Sequence, residues 1–231
     1  MNTPFPYRTT VLLLSLLLTL GTTAQAADGE SGHAAHQMHD MHDMQEHSMA
    51  TMQHDQHANH RQALNQTGYT RSLDHYTLPA LELTTMNGDT LSLAQMLDTD
   101  QPVALNFIFT SCTTICPIMS ATFAQAQKRL GDEASQIRWI SVSIDPEYDT
   151  PERLRDYAQR FEAGKQWSFL TGSTENIIAL QKAFDVYRGD KMNHIPVTLL
   201  RAGRNAPWVR LHGLTSGAEL VQEYRQLMAN R

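Results

Sequence analysis

The stretch Asn106-Phe-Ile-Phe-Thr-Ser-Cys-Thr-Thr-Ile-Cys-Pro117 constrains the fold more than any other part of the chain. It holds the only two cysteines, Cys112 and Cys116, in a Cys-x-x-x-Cys spacing. Residues 103–109 are a short, mostly apolar run of β-formers, the pattern of a buried central strand. Pro117 then opens an apolar, Ala-rich segment, and proline suits the first position of a helix. Both thiols are therefore expected on a strand-to-helix turn. Cys116, nearest the helix start, is expected to be the thiolate, because free N–H groups and the positive end of the helix dipole lie beside it. Two sulfurs so spaced could close as a disulfide or chelate one soft metal ion. Structural zinc fits less well, because it wants four protein ligands and no second cysteine pair exists.

Upstream the chain changes character. Residues 1–26 read as a secretory signal peptide, with Arg8 in the positive n-region, an apolar core over 11–20 and a small-residue cleavage site at Ala24-Gln-Ala26. The apolar core is too short for a comfortable membrane span, and no cysteine follows it to carry a lipid. Residues 27–60 carry His33, His36, His39, His42, His47, His54, His57 and His60, interleaved with Met38, Met41, Met44, Met49 and Met52. Acids are scattered among them, Lys and Arg are absent, and there is no Val, Ile, Leu or aromatic residue to bury. Such a segment cannot offset its own ordering entropy and reads as a disordered metal-binding tail over 27–70. Imidazole suits several divalent metals, and the thioethers tilt the choice toward copper. From Arg61 onward 17 Lys and Arg stand against 18 Asp and Glu, so no basic stripe recommends nucleic acid.

Residues 71–231 are of single-domain length. A hairpin and short helix are expected over 76–97, turning at Asn87-Gly88. Helix follows over 117–130, stopped by Gly131, then a strand over 137–144. Thr150 caps a helix that starts at Pro151 and runs to about 161. A third helix over 173–184, a strand over 197–200, an antiparallel partner over 208–211 and a closing helix over 216–228 complete the series. Strands alternating with helices, led by a hairpin, make an α/β fold of the thioredoxin type, a central sheet flanked by helices. His194, just before the late strand, is then placed to face the dithiol turn. Pro196 falls near the place where thioredoxin-like folds often hold a cis-proline. His75, expected ahead of the domain's first strand, and His212, expected after the last, are assigned to the surface.

Phe109-Thr-Ser-Cys112-x-x-x-Cys116-Pro117, Ser143-Ile-Asp-Pro-Glu147 with Asp149-Thr-Pro-Glu152, Trp167-x-Phe-Leu-Thr-Gly172 and His194 together resemble the Sco/SenC family. Those are thioredoxin-like copper proteins concerned with assembling cytochrome c oxidase. The resemblance spans roughly residues 78–228 and implies Cys112, Cys116 and His194 as copper ligands. Family members often have an acidic residue just before the histidine, where this chain has Asn193. The expectation is an exported, periplasmic copper metallochaperone that accepts electrons from a thiol reductant and delivers copper (Cu(I) or Cu(II)) to a protein such as a cytochrome c oxidase subunit. Two other readings stay open: a periplasmic thiol-disulfide reductase or peroxidase, and a passive copper-sequestration protein.

Overall fold

The computed structural model describes residues 68–231. The expected signal segment and all of the His/Met tail before Gly68 lie outside the described residues. The strands are β1 (Tyr69–Asp74), β2 (Glu82–Thr85), β3 (Thr90–Ser92), β4 (Val103–Ile108), β5 (Arg138–Ser143), β6 (Trp167–Thr171), β7 (Val197–Arg201) and β8 (Trp208–Gly213). The helices are α1 (Leu93–Leu97), α2 (Ile115–Leu130), α3 (Pro151–Arg160), α4 (Thr174–Ala183) and α5 (Gly217–Ala229), with short 3-10 turns at Gly131–Gln136 and Lys191–Asn193.

All eight strands join one sheet, in the order β1-β8-β7-β4-β5-β6-β2-β3. Its centre, β4, is buried along its whole length. Alternate residues of a strand point to opposite faces, and β4 shows why both faces must be covered. Ala104 and Ile108 pack with α2, α3 and α5 in one apolar layer. Val103, Leu105 and Phe107 pack with α1 and α4 in the other. Under α2, Phe123 meets Trp139 edge-on at 5.1 Å between ring centres, a contact worth about 1 kcal/mol beyond the area it buries.

The expected punctuation is present. Thr150 accepts a hydrogen bond from the Arg153 N–H, Pro151 opens α3, and α2 ends at Gly131. The β2–β3 hairpin turns through Gly88, whose φ of +91° favours glycine. Three expectations need correction. β1 pairs antiparallel with β8, so His75 follows the first strand rather than preceding it. His212 lies inside β8, opposite Thr70 and Val197, because that strand runs two residues beyond its apolar core. Trp167–Thr171, noted above only as a motif, is a strand that pairs in parallel with β5. Every peptide bond among the described residues is trans, that before Pro196 included. No helix among the described residues is long and apolar enough to cross a membrane.

Candidate metal centre

The C-terminal ends of β4 and β5 and the N-terminal end of β7 lie at one edge of the sheet, because β5 runs parallel to β4 and β7 antiparallel. That edge carries both the cysteine turn and the histidine loop. Beyond β4 the Cys112 N–H donates to the Phe109 carbonyl at 3.2 Å, closing a tight turn. α2 begins three residues later, and Cys116 sits in its first turn. Cys112 is 8% exposed and Cys116 is fully buried.

This difference in burial decides the protonation of the pair. The Cys116 thiol donates to the Cys112 sulfur and holds Cys112 down at about 5, against the opposing cost of its own burial. Neighbouring N–H groups at Cys116 and Thr114 add to the lowering. Burial pushes Cys116 well above the ordinary thiol range, and the donated hydrogen bond and the charge on Cys112 push it further. The two sulfurs thus share one proton, with the negative charge on the outer one. The expectation that Cys116 would be the thiolate is reversed. The helix starts at Ile115, two residues before the start expected at Pro117, so Cys116 lies inside its first turn, where desolvation outweighs the helix dipole.

Asp149, from the loop between β5 and α3, holds the turn in place. Its carboxylate has no exposed surface. It accepts from the Thr110 N–H at 3.0 Å, the Thr110 hydroxyl at 2.5 Å and the Ser143 hydroxyl at 2.6 Å. Burial raises its pKa, and the hydrogen bonds from Ser143 and Thr110 work against that rise. Nothing in the sequence marked Asp149 beyond its place in a motif, since an acid just ahead of a helix cap is usually a solvated one.

His194 arrives on a different kind of support. The Asp190 carboxylate accepts from the Met192 N–H at 2.8 Å and caps the turn Lys191–Asn193, none of whose residues is buried. Lys191 Nζ reaches Asp145 Oδ2 at 2.5 Å, tying the loop to the end of β5. His194 itself is buried, with Nε2 3.0 Å from the Phe107 carbonyl and the ring edge-on to Phe109 at 6.4 Å. A carbonyl only accepts, so Nε2 donates this bond. The two sulfurs are together. Among the described residues, however, no group of three or more His, Cys, Asp or Glu side chains stands close enough to hold a metal ion.

The SCO1/SenC family model matches residues 70–229. A curated relative, the SCO1 protein homolog of Bacillus subtilis (strain 168), is 43% identical over 74 residues, which is 32% of this chain and 38% of that protein. The chain thus spans well under half the length of that relative. Among solved structures, BsSco, described as a member of the Sco family of cytochrome c oxidase assembly proteins with a disulfide switch, superposes with a TM-score of 0.58 at 23% identity, covering 71% of this chain and all of that one. The copper-bound structure of ScoI from Bradyrhizobium japonicum gives 0.54 at 22% identity, covering 65% of this chain and 99% of that one. At these identities the structures speak for the fold, and the family match covers all of the described sheet but Tyr69. The chain belongs to the SCO1/SenC family.

Proposed function

We propose that this protein is an exported copper carrier that holds the metal on Cys112 and Cys116, takes His194 as third ligand, and hands its cargo to a copper-accepting protein. The observation that carries the reading is the sulfur pair itself: one thiolate near the surface, backed by a buried thiol that shares its proton. Two soft sulfurs suit Cu(I), and an imidazole nitrogen helps hold Cu(II). Metal ligands must be deprotonated, so copper would displace the one proton the pair retains. A ligating histidine usually anchors its other ring N–H on a carbonyl or carboxylate, and His194 already donates from Nε2 to Phe107. With the third ligand drawn in by a surface loop, an acceptor could displace it stepwise, as a carrier needs.

Two relatives point to cargo and client. ScoI from Bradyrhizobium japonicum has been solved with copper bound, and BsSco is described as a cytochrome c oxidase assembly protein. By analogy the client here is a cytochrome c oxidase subunit, and the compartment is the periplasm, reached by the segment 1–26. A thiol reductant would keep the pair open, since a closed Cys112–Cys116 disulfide offers the metal no thiolate.

One observation also favours a thiol-disulfide reductase or peroxidase: an outer thiolate with an inner partner is the arrangement such chemistry uses. A parallel assay of one preparation separates the two readings. The reduced full chain should show a thiolate-to-copper charge-transfer band that is lost in Cys112→Ser and in Cys116→Ser. His194→Ala should weaken Cu(II) binding more than Cu(I) binding. Unchanged spectra in the cysteine variants would refute the carrier, and multiple-turnover peroxide or disulfide reduction without copper transfer would establish the enzyme.

A further inference from the structure

At the end of β7 remote from His194 the fold buries a charge without a counter-ion. Arg201 is the last residue of that strand and is only 8% exposed. Its guanidinium stacks over the Trp208 ring, with Cζ 4.6 Å from the ring centre, and Nη2 donates to the Leu97 carbonyl. Leu97 ends α1, and the last carbonyls of a helix have no partner within it. Arg201 thus closes the end of a short helix. That single bond does not satisfy a fork of five N–H donors. Among the described residues, Arg201 Nε is buried with no hydrogen-bond partner. The acids of the adjoining turn, Asp98 and Asp100, lean instead on the exposed Arg204, at 3.1 and 3.6 Å. Burial lowers the Arg201 pKa, and the charge on Asp98 works against that fall.

Arg201 lines a cleft of about 260 Å³. Leu78 and Pro79, from the segment ahead of β2, and Ala94 and Leu97, from α1, give the cleft apolar walls, and the exposed Asp98–Arg204 pair belongs to its lining. Small-molecule sites have this make-up, with apolar walls and a few polar groups that fix orientation. The volume lies just under the usual range of about 300–1,000 Å³, which limits the ligand to a short one.

We propose that this cleft binds a short aliphatic carboxylate, its headgroup held by Arg201 and its chain lying along the apolar walls. The buried charge calls for an anion, because an ionised group out of water is costly unless it is paired and hydrogen-bonded. A carboxylate matches the guanidinium fork with two parallel N–H···O bonds, which would also give Nε its missing partner. The apolar walls favour an aliphatic body over a hydrated inorganic anion. Such a group exists on a free short-chain acid and at the C-terminus of a peptide whose last residue is apolar. The site is separate from the copper carrier's: His194 lies just ahead of the start of β7, and Arg201 is its end.

The test uses the full chain, isotope-labelled, and follows the Arg201 Nε–H and Trp208 indole N–H signals by NMR at neutral pH. Sodium hexanoate should shift both saturably. It should bind at least about tenfold more tightly than hexanol, since a hydrogen bond to a charged group is worth at least that factor. Inorganic phosphate should bind more weakly than hexanoate. Arg201→Lys keeps the charge but loses the fork, and should weaken hexanoate binding about tenfold as read at Trp208. Ala94→Phe leaves Arg201 in place and fills the cleft from an exposed position on α1, where substitutions cost little, so the shifts should vanish. A short peptide with a free C-terminal leucine carboxylate is the second arm. Tighter binding than hexanoate would identify a chain terminus as the ligand, and weaker binding a free acid. No saturable shift with either carboxylate, equal binding of hexanol or phosphate, or undiminished binding in Ala94→Phe would overturn the site.

Discussion

The cysteine turn and the histidine loop share one edge of the sheet but are built on opposite terms. The turn is continuous with the core: Ile115 and Cys116 are fully buried, and Asp149 gathers three hydrogen bonds from residues on β5 and just past β4. The loop rides above the core, with none of Lys191–Asn193 buried and a half-exposed lysine tying it down. Desolvated networks are stiff because breaking one member strands the others, whereas solvated contacts exchange for water at little cost. The fold therefore holds the sulfur pair within the core, whereas the buried His194 is reached through a turn whose residues face water.

The largest effect expected from this asymmetry is chemical. At pH 7 a thiol titrating at about 5 is almost wholly thiolate, while one raised well above its ordinary value is almost wholly protonated. Iodoacetamide should therefore modify Cys112 more than a hundredfold faster than Cys116, with peptide mapping identifying the site. The Cys112 rate should be flat from pH 6 to 8 and fall as pH drops through about 5, where the thiolate is lost. Cys116→Ala removes the hydrogen bond chiefly responsible, so its Cys112 should react more slowly at pH 6 than in the parent. Equal reactivity of the two cysteines would mean that the turn does not hold one sulfur inside and one outside.

Next in size is the clamp. Asp149→Ala strands the Thr110 N–H and the Ser143 hydroxyl in a buried site, each costing about 1–3 kcal/mol, partly offset because a buried carboxylate is itself costly. A net loss of about 2–3 kcal/mol is expected by urea unfolding. The pH dependence has a definite sign. Burial raises the Asp149 pKa, so between its ordinary and its raised value the folded state binds more protons than the unfolded one. Its contribution is then greatest below the ordinary carboxylate pKa and shrinks as pH rises through that window. The deficit of the alanine variant should widen on acidification from neutral pH, and a deficit that narrowed would mean that Asp149 is not desolvated.

What could be read from sequence follows the same division between local and long-range causes. The Thr150-Pro151 cap, the Gly131 stop and the apolar run of β4 are signals within a few residues, and each sits where expected. β1 escaped notice because Tyr-Thr-Arg-Ser-Leu-Asp is mostly exposed and owes its strand to pairing with β8, more than 130 residues away. The Asp149 clamp joins residues 39 apart in the chain and leaves no periodic trace. Cys112 and Cys116 were found by type and spacing, but which of them carries the charge depends on burial that only the packed helix creates. His194 was found as a single residue near a strand, and its support, the Lys191–Asp145 pair, spans 46 residues.

The smallest effect concerns that pair. Lys191 is 39% exposed and Asp145 10%, at 2.5 Å, with the lysine Nζ also 5.8 Å over the Phe109 ring. A partly solvated ion pair of this kind is worth about 0–1 kcal/mol, so Lys191→Ala should cost less than about 1 kcal/mol in urea unfolding. Salt should screen the parent's advantage, because the lysine faces water. The consequence for the site should exceed the consequence for stability. On the copper-carrier proposal, a loop freed from Asp145 would change the rate at which His194 joins or leaves the metal while the sulfur pair stays in place. Stopped-flow Cu(II) release to a chelator should thus accelerate in Lys191→Ala, with the Cys112 alkylation profile unchanged. If instead this substitution destabilised the fold as much as Asp149→Ala, the loop would be as much a part of the core as the turn, and the distinction between buried turn and solvated loop would fail.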